Sequence, residues 1–312
     1  MSGRQLVRLA IGLGVLLLLW GAAALARRRE TASGSDRFAL PRIDSAAVDT
    51  VRIARASDTS VLVRGRGGPD SARWRVNGHA ASGTAVGELL AALADTGYSS
   101  ELVAEQPGSH RGLGVDSAGG TRVRVAGRDT VLAELMAGNQ TPDMQGGYLR
   151  GEGDPAVYLV RGRLPEMLSR STDDWRDRRI AAVAPDSVRG IEITRRSRSY
   201  ALRRGDRGWT FASGKAAPAD SAVVAGLLSD YRQLDADGFA TPAQADSARF
   251  SSPDRRVRLL RADGTPLLVL ALDSAATGFW LRADSGSTVY RMDTWNAERI
   301  APADSTVRRP RS

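Results

Sequence analysis

The sequence predicts an α+β protein: an N-terminal transmembrane helix, then two duplicated modules, each an antiparallel sheet with one amphipathic helix. Three observations carry that prediction. They are an uncharged apolar run, strand alternation that leaves one face polar, and a set of apolar and aromatic signatures that occurs twice. The run is Leu9 to Ala26, LAIGLGVLLLLWGAAALA, close to the length one helix needs to cross a hydrocarbon core.

The run has two readings. Arg4 and Arg8 before it and Ala24-Leu25-Ala26 at its end outline a cleavable secretory signal. Its length, and Arg27-Arg28-Arg29 directly after it, favour an uncleaved signal anchor. With no cysteine in the chain, a leader processed at a lipidated cysteine is excluded. Flanking charge is nearly balanced, so the positive-inside rule leaves orientation open.

Residues 1–29 are therefore read as tail and anchor, and residues 30–37 as a spacer whose ETASGSD composition is that of a flexible linker. The first module is placed at residues 38–182 and the second at 183–303, with the break at the proline-marked AAVAPDS segment. Residues 304–312 are read as a disordered tail.

In the first module Val51 and Ile53, then Val61-Leu62-Val63-Arg64-Gly65, then Trp74 read as successive strands. The second repeats this with Ile191 and Ile193, Ala201-Leu202-Arg203-Arg204-Gly205 and Trp209. A helix follows each: Val86, Leu89, Leu90 and Leu93 form one apolar stripe, and Val224, Leu227, Leu228 and Tyr231 the other. Alternation returns in Thr121 to Val125 and in Arg256 to Leu259, with Gly127-Arg128-Asp129 and Asp263-Gly264 as turns. One-sided alternation marks antiparallel sheets with one face on a core. Tyr148-Leu149-Arg150 with Val157-Tyr158 matches Trp280-Leu281-Arg282 with Val289-Tyr290. Trp175-x-x-x-Arg179-Ile180 matches Trp295-x-x-x-Arg299-Ile300. Four buried tryptophans, Trp74, Trp175, Trp209 and Trp295, are expected to anchor two similar cores.

The net charge of +9 resembles a nucleic-acid signature until it is located. Five arginines flank the anchor, Arg308, Arg309 and Arg311 crowd the tail, and the body between is nearly neutral with both signs interspersed. Nucleic-acid binders concentrate charge on one face, so that class is set aside.

Taken with the anchor, the paired strand–strand–Trp–helix units, Gly112-Leu113-Gly114 before a hairpin, Gly147-Tyr148-Leu149-Arg150 with Val157-Tyr158, and Trp175-x-x-Arg178 resemble the bacterial family called domain of unknown function 4340. The resemblance covers nearly the whole chain after the anchor. It implies an accessory subunit in the bacterial inner membrane, single-pass through Leu9 to Ala26, with its body periplasmic. It also implies partners, because members are typically encoded beside an ABC-transporter ATPase, its permease and a gliding-type auxiliary membrane protein. The family has no established catalytic or binding residues, so none is carried over.

The search for chemistry points the same way. A phosphate-binding loop needs Gly-Lys followed by Ser or Thr, but the sole lysine, Lys215, precedes Ala216, and Trp209 stands where the first glycine belongs. His79 and His110, the only histidines, sit in a turn and a loop, and no G-x-S-x-G exists to seat a serine nucleophile. Asp-Ser pairs recur from Asp44-Ser45 to Asp284-Ser285, and both side chains suit helix starts and turns. Asp235-Ala236-Asp237-Gly238 opens like a calcium loop, but Asp246 replaces the bidentate glutamate and Pro242 interrupts. Asp173-Asp174 and Asp235/Asp237 are the most concentrated acids, and both lie near helix ends. No catalytic, cofactor or metal residue is assigned. The leading expectation is a non-enzymatic interaction subunit of an ABC-type transport or gliding-like assembly. The alternatives are an envelope glycan- or ligand-binding module and, behind it, an envelope hydrolase.

Overall fold

The computed structural model describes residues 37–65, 73–212, 217–284 and 286–308. The expected anchor Leu9–Ala26, the spacer up to Asp36 and Lys215 lie outside the described residues. No helix among those residues is long and apolar enough to cross a membrane. The class is α+β.

Two compact units meet at Arg176/Asp177. The first contains β1 (Thr50–Ala54), β2 (Thr59–Arg64), β3 (Trp74–Val76), β4 (His79–Ala80), helix α1 (Gly83–Ala94) and β5 (Ser99–Ala104). It continues through α2 (His110–Leu113), β6 (Thr121–Ala126), β7 (Val131–Gln140), β8 (Gly146–Gly151), β9 (Val157–Arg161) and α3 (Arg163–Ser169). The nine strands form one sheet in the order β4-β3-β2-β1-β6-β7-β8-β9-β5, every pair antiparallel. After β4, at one edge, α1 carries the chain to β5 at the other, and the path then returns to the centre with β6. Asn77 and Gly78 both take positive φ (47° and 85°), as the two-residue turn joining β3 to β4 requires. Alternation places Val51, Ile53, Leu62, Val123 and Val125 inside, against Val86, Leu89 and Leu93 of α1. Each fully buried Leu or Val contributes about 1.5–3 kcal/mol relative to exposure. Ser82 caps α1 by accepting the Ala85 amide. At the end of α2, Gly114 is left-handed (φ 69°), and a Cβ there would lie 2.6 Å from the Asn139 side-chain oxygen.

The second unit contains β10 (Arg179–Ala181), β11 (Gly190–Arg195), β12 (Arg198–Gly205), β13 (Gly208–Phe211), α4 (Ser221–Arg232), β14 (Leu234–Asp235) and β15 (Gly238–Phe239). Then come α5 (Pro242–Ser247), β16 (Arg255–Leu260), β17 (Pro266–Ala275), β18 (Gly278–Ala283), β19 (Tyr290–Met292), α6 (Thr294–Ile300) and α7 (Asp304–Val307). Its main sheet has the order β13-β12-β11-β16-β17-β18-β19-β15, while β10 pairs with β14 alone. Again a helix, α4, leads from one edge strand towards the other, and the chain then returns to the centre. The predicted stripe of α4 is buried in full: Val224, Leu227, Leu228 and Tyr231 pack on Ile191, Ile193, Leu202 and Val257. Leu149 faces Tyr158 across β8 and β9, and Leu281 faces Tyr290 across β18 and β19.

Three expectations are corrected. The boundary lies at Arg176/Asp177 rather than between residues 182 and 183, because β10 pairs with β14 and Ile180 and Ala181 pack on the second core. The proposed break at Pro185 is a 3-10 turn inside that unit. Residues 304–308 are structured rather than tail: Val307 is fully buried, its carbonyl accepts the Asp220 amide at 2.8 Å, and Arg308 stacks over Phe211.

The third concerns tryptophan. Trp74, Trp175 and Trp209 are buried, but Trp295 is 66% exposed, because α6 turns Ala297 and Ile300 inward instead. The Trp175 carbonyl accepts the amide of Ser82, the cap of α1, just as the Val307 carbonyl accepts that of Asp220, the cap of α4.

Candidate functional site

A cleft of about 910 Å³ lies within the second unit. Antiparallel pairing of β11 with β12 makes a tight hairpin whose tip is Arg195-Arg196-Ser197-Arg198, with Arg196 left-handed at φ 52°. That tip forms one wall. The start of β16 supplies Asp254 and Arg255, β17 supplies Ser274, β18 supplies Phe279, and the α6–α7 connection supplies Ala303, Asp304 and Ser305.

Two of the lining arginines are held by Glu298 of α6. Arg195 donates from both terminal nitrogens to the two carboxylate oxygens at 2.8 Å, and Arg255 donates to Oε1 at 2.6 Å. Arg255 also donates to the Ala297 carbonyl (3.1 Å) and lies 4.3 Å from the centre of the Phe279 ring. Burial lowers the Arg255 pKa from its ordinary value. Burial would raise that of Glu298, but hydrogen bonds from Arg195 and Arg255 outweigh it and hold the carboxyl below its usual range. Tyr200 donates to the Pro302 carbonyl at 2.9 Å, and burial pushes its phenol well above its ordinary value. Hydrogen bonds from Ser274 keep Asp254 low, and Arg196 approaches it at 3.5 Å while remaining 82% exposed. Arg198 is exposed, and its side chain makes no hydrogen bond or ion pair among the described residues. The cleft thus has a basic rim able to receive an anion, with Arg195 and Arg255 charge-compensated by Glu298.

The residues weighed from sequence fall elsewhere and do not converge. His79 is exposed at the start of β4; partial burial and the nearby Arg176 and Arg75 lower its pKa. The His110 ring nitrogen pairs with the Pro155 carbonyl at 2.9 Å. Asp173 pairs with Arg176, and Asp174 completes a capping box with Ser171. Asp235 accepts from Arg179 at 2.9 Å, while Asp237 accepts the Asp293 amide (2.7 Å) and the Asn296 side chain (3.1 Å). Of the Asp-Ser pairs, Asp44 and Asp220 cap helices and Asp116 closes a turn. Asp273 is different: it is buried on β17 and accepts the Arg249 amide at 2.9 Å. Among the described residues no three His, Cys, Asp or Glu side chains gather as a metal site.

Sequence reading missed the cleft. Its visible signal was three arginines within the four residues Arg195 to Arg198; Glu298, the partner of Arg195, and Asp254, that of Arg196, lie far along the chain.

A two-unit α+β protein with a basic cleft in its second unit is the class that fold and site define. The family model described as "Domain of unknown function (DUF4340)" matches residues 74–253, more than half the chain and on both sides of the Arg176/Asp177 junction. The chain belongs to that family. No curated protein and no solved structure matches it.

Proposed function

We propose that the protein is a membrane-anchored envelope subunit, non-enzymatic, that serves an ABC-type transport or gliding-like assembly as an interaction platform. Leu9–Ala26 holds it in the inner membrane and the body lies outside. Family membership is the observation that carries this reading, through the gene company that such proteins keep. The way the reactive side chains are used supports it: Asp174, Asp220 and Asp237 satisfy backbone amides, and His110 bonds a carbonyl. We further infer that the two units are a duplicated module, which the like order of their strands and the paired Leu149–Tyr158 and Leu281–Tyr290 contacts support.

The test is complementation of a null strain, with co-purification of the permease as a second readout. The full chain should restore function and retain the permease, and the chain lacking Leu9–Ala26 should do neither. Replacing His79 and His110 together with alanine should leave function intact. If that double variant is folded and abundant yet inactive, a catalytic or metal-dependent role replaces this one. A ligand-binding module is the second reading, and the open cleft of the second unit is the observation that favours it.

A further inference from the structure

The tip of the first hairpin in each unit has the same register but opposite chemistry. Ile53 faces Ser60 across β1 and β2, and Ile193 faces Tyr200 across β11 and β12, which sets Asp58 in one tip against Arg198 in the other. In the first unit the tip is tied down. Asp58 accepts both the amide (3.1 Å) and the hydroxyl (2.7 Å) of Thr172, and the Ser60 and Thr172 hydroxyls meet at 2.7 Å. In the second unit Arg198 stands in place of that carboxylate; the tip is held instead through Arg195 on Glu298 (2.8 Å) and the Arg196 amide on the Asp254 carbonyl (2.7 Å), and it borders the cleft of about 910 Å³.

The α6–α7 connection also borders a second concavity, a groove of about 360 Å³ lined by Val223, Leu227, Trp295 and Pro302 with Asp230 and Arg299, whose guanidinium lies 4.6 Å from the Trp295 ring. Glu298 borders this groove while its carboxylate holds the two arginines of the cleft. A basic rim and an exposed tryptophan therefore flank one short piece of chain. Arg and Trp are the residue types that dominate binding energy at protein interfaces. A guanidinium with no carboxylate partner among the described residues, as on Arg198, suits a bidentate acidic partner.

We propose that the cleft and the Trp295 groove together dock an acidic, apolar-interspersed peptide segment of the membrane partner, its carboxylates on Arg196 and Arg198 and an apolar side chain against Trp295. This rests on the platform reading and gives it a location and a chemistry. The contrast between Asp58 and Arg198 at the two tips assigns the partner to the second unit.

The experiment uses the full chain in lipid nanodiscs and a fluorescent peptide alternating glutamate with leucine. The same peptide with glutamine for glutamate, and inorganic phosphate, are the comparison probes. The glutamate peptide should bind more tightly than the glutamine one and weaken as salt rises. R196E combined with R198E should lower its affinity by roughly tenfold or more, and W295A by roughly fivefold to tenfold. Arg128→Glu, an exposed change in the first unit, should leave it unchanged. All the replaced side chains are exposed, and an unchanged Tm verifies folding.

Equal binding of the two peptides, or full affinity in the double arginine variant, overturns the proposal. So does phosphate displacing the peptide while W295A has no effect, since the cleft would then be a small-anion site. A photo-crosslinker in living cells separates the two levels. Adducts with the permease from other surface positions but none from position 295 refute this site and leave the platform standing. No adduct from any position removes the platform as well.

Discussion

Asp143 shows how local bonding sets a charge without burial. Its carboxylate accepts the Thr141 hydroxyl, the Gln145 amide and Arg161, and these hold its pKa down at about 2. A carboxyl depressed by folding adds stability above its unfolded value. That contribution is lost as pH falls from about 4 through the folded value. Thr141→Val removes the largest contributor, so NMR titration of Asp143 should show its pKa moving up towards the ordinary range. No change would mean that the hydroxyl does not engage. Glu298 tests the opposite situation, in which a half-exposed acid serves a buried base. Glu298→Gln withdraws the charge that faces Arg195 and the 9%-exposed Arg255 side chain. Hydrogen bonds to charged groups contribute about 1.5–3 kcal/mol, so thermal unfolding should show a loss of that order. An unchanged Tm would show that the Ala297 carbonyl and the Phe279 ring suffice for Arg255.

The tryptophans separate what a local pattern dictates from what packing dictates. Trp175, fully buried under the α1 cap, should lose about 3–5 kcal/mol on replacement by alanine, whereas Trp295→Ala should stay within about 0.5 kcal/mol. Denaturant unfolding of the two variants distinguishes them, and equal losses would restore the equivalence that their shared W-x-x-x-R-I letters suggested. Those letters misled because helix phase is set by what α6 buries, Ala297 and Ile300, and not by its bulkiest residue. Hairpins such as β6–β7 and β16–β17 were legible, since period-two alternation and Gly or Asp turns are local signals. The caps were legible too, Asp220 after Pro218 being the clearest. Edge-to-edge transit through α1 or α4 was not, because nothing in a helix's own residues says which strand comes after it in the sheet. The pairing of β10 with β14 escaped for a related reason: strands of three and two residues carry too little pattern to be recognised before their partner is known. The cleft was half legible. Its arginine run stood in the open, but the contacts of Glu298 with Arg195 and Arg255 span 103 and 43 residues of chain.

The first compact unit and the second are each backed by their own core, and the chain that precedes them is dominated by the Leu9–Ala26 run. Spanning a bilayer requires about 20 predominantly apolar residues; this run sits at the short end, and arginines flank it on both sides. Arg4 and Arg8 with the amino terminus face Arg27, Arg28 and Arg29, so charge bias supplies little preference for either orientation. What favours an outward body is the proposed accessory role, and that makes orientation a direct test of the role. Alkaline phosphatase folds to an active form only where its disulfides can close, outside the cytoplasm. Fused after Asp36, it should be active, and the mature chain should retain its original amino terminus. A mature chain starting at Arg27 would show a cleaved signal and release the body from the membrane; the platform would then have to hold its partners by docking alone. An inactive fusion would put both units in the cytoplasm, where the cleft could meet only the cytoplasmic loops of a permease or its ATPase. Each outcome assigns the Arg196–Arg198 rim a different set of possible acidic partners, so the fusion result fixes which partner peptides belong in the binding experiment.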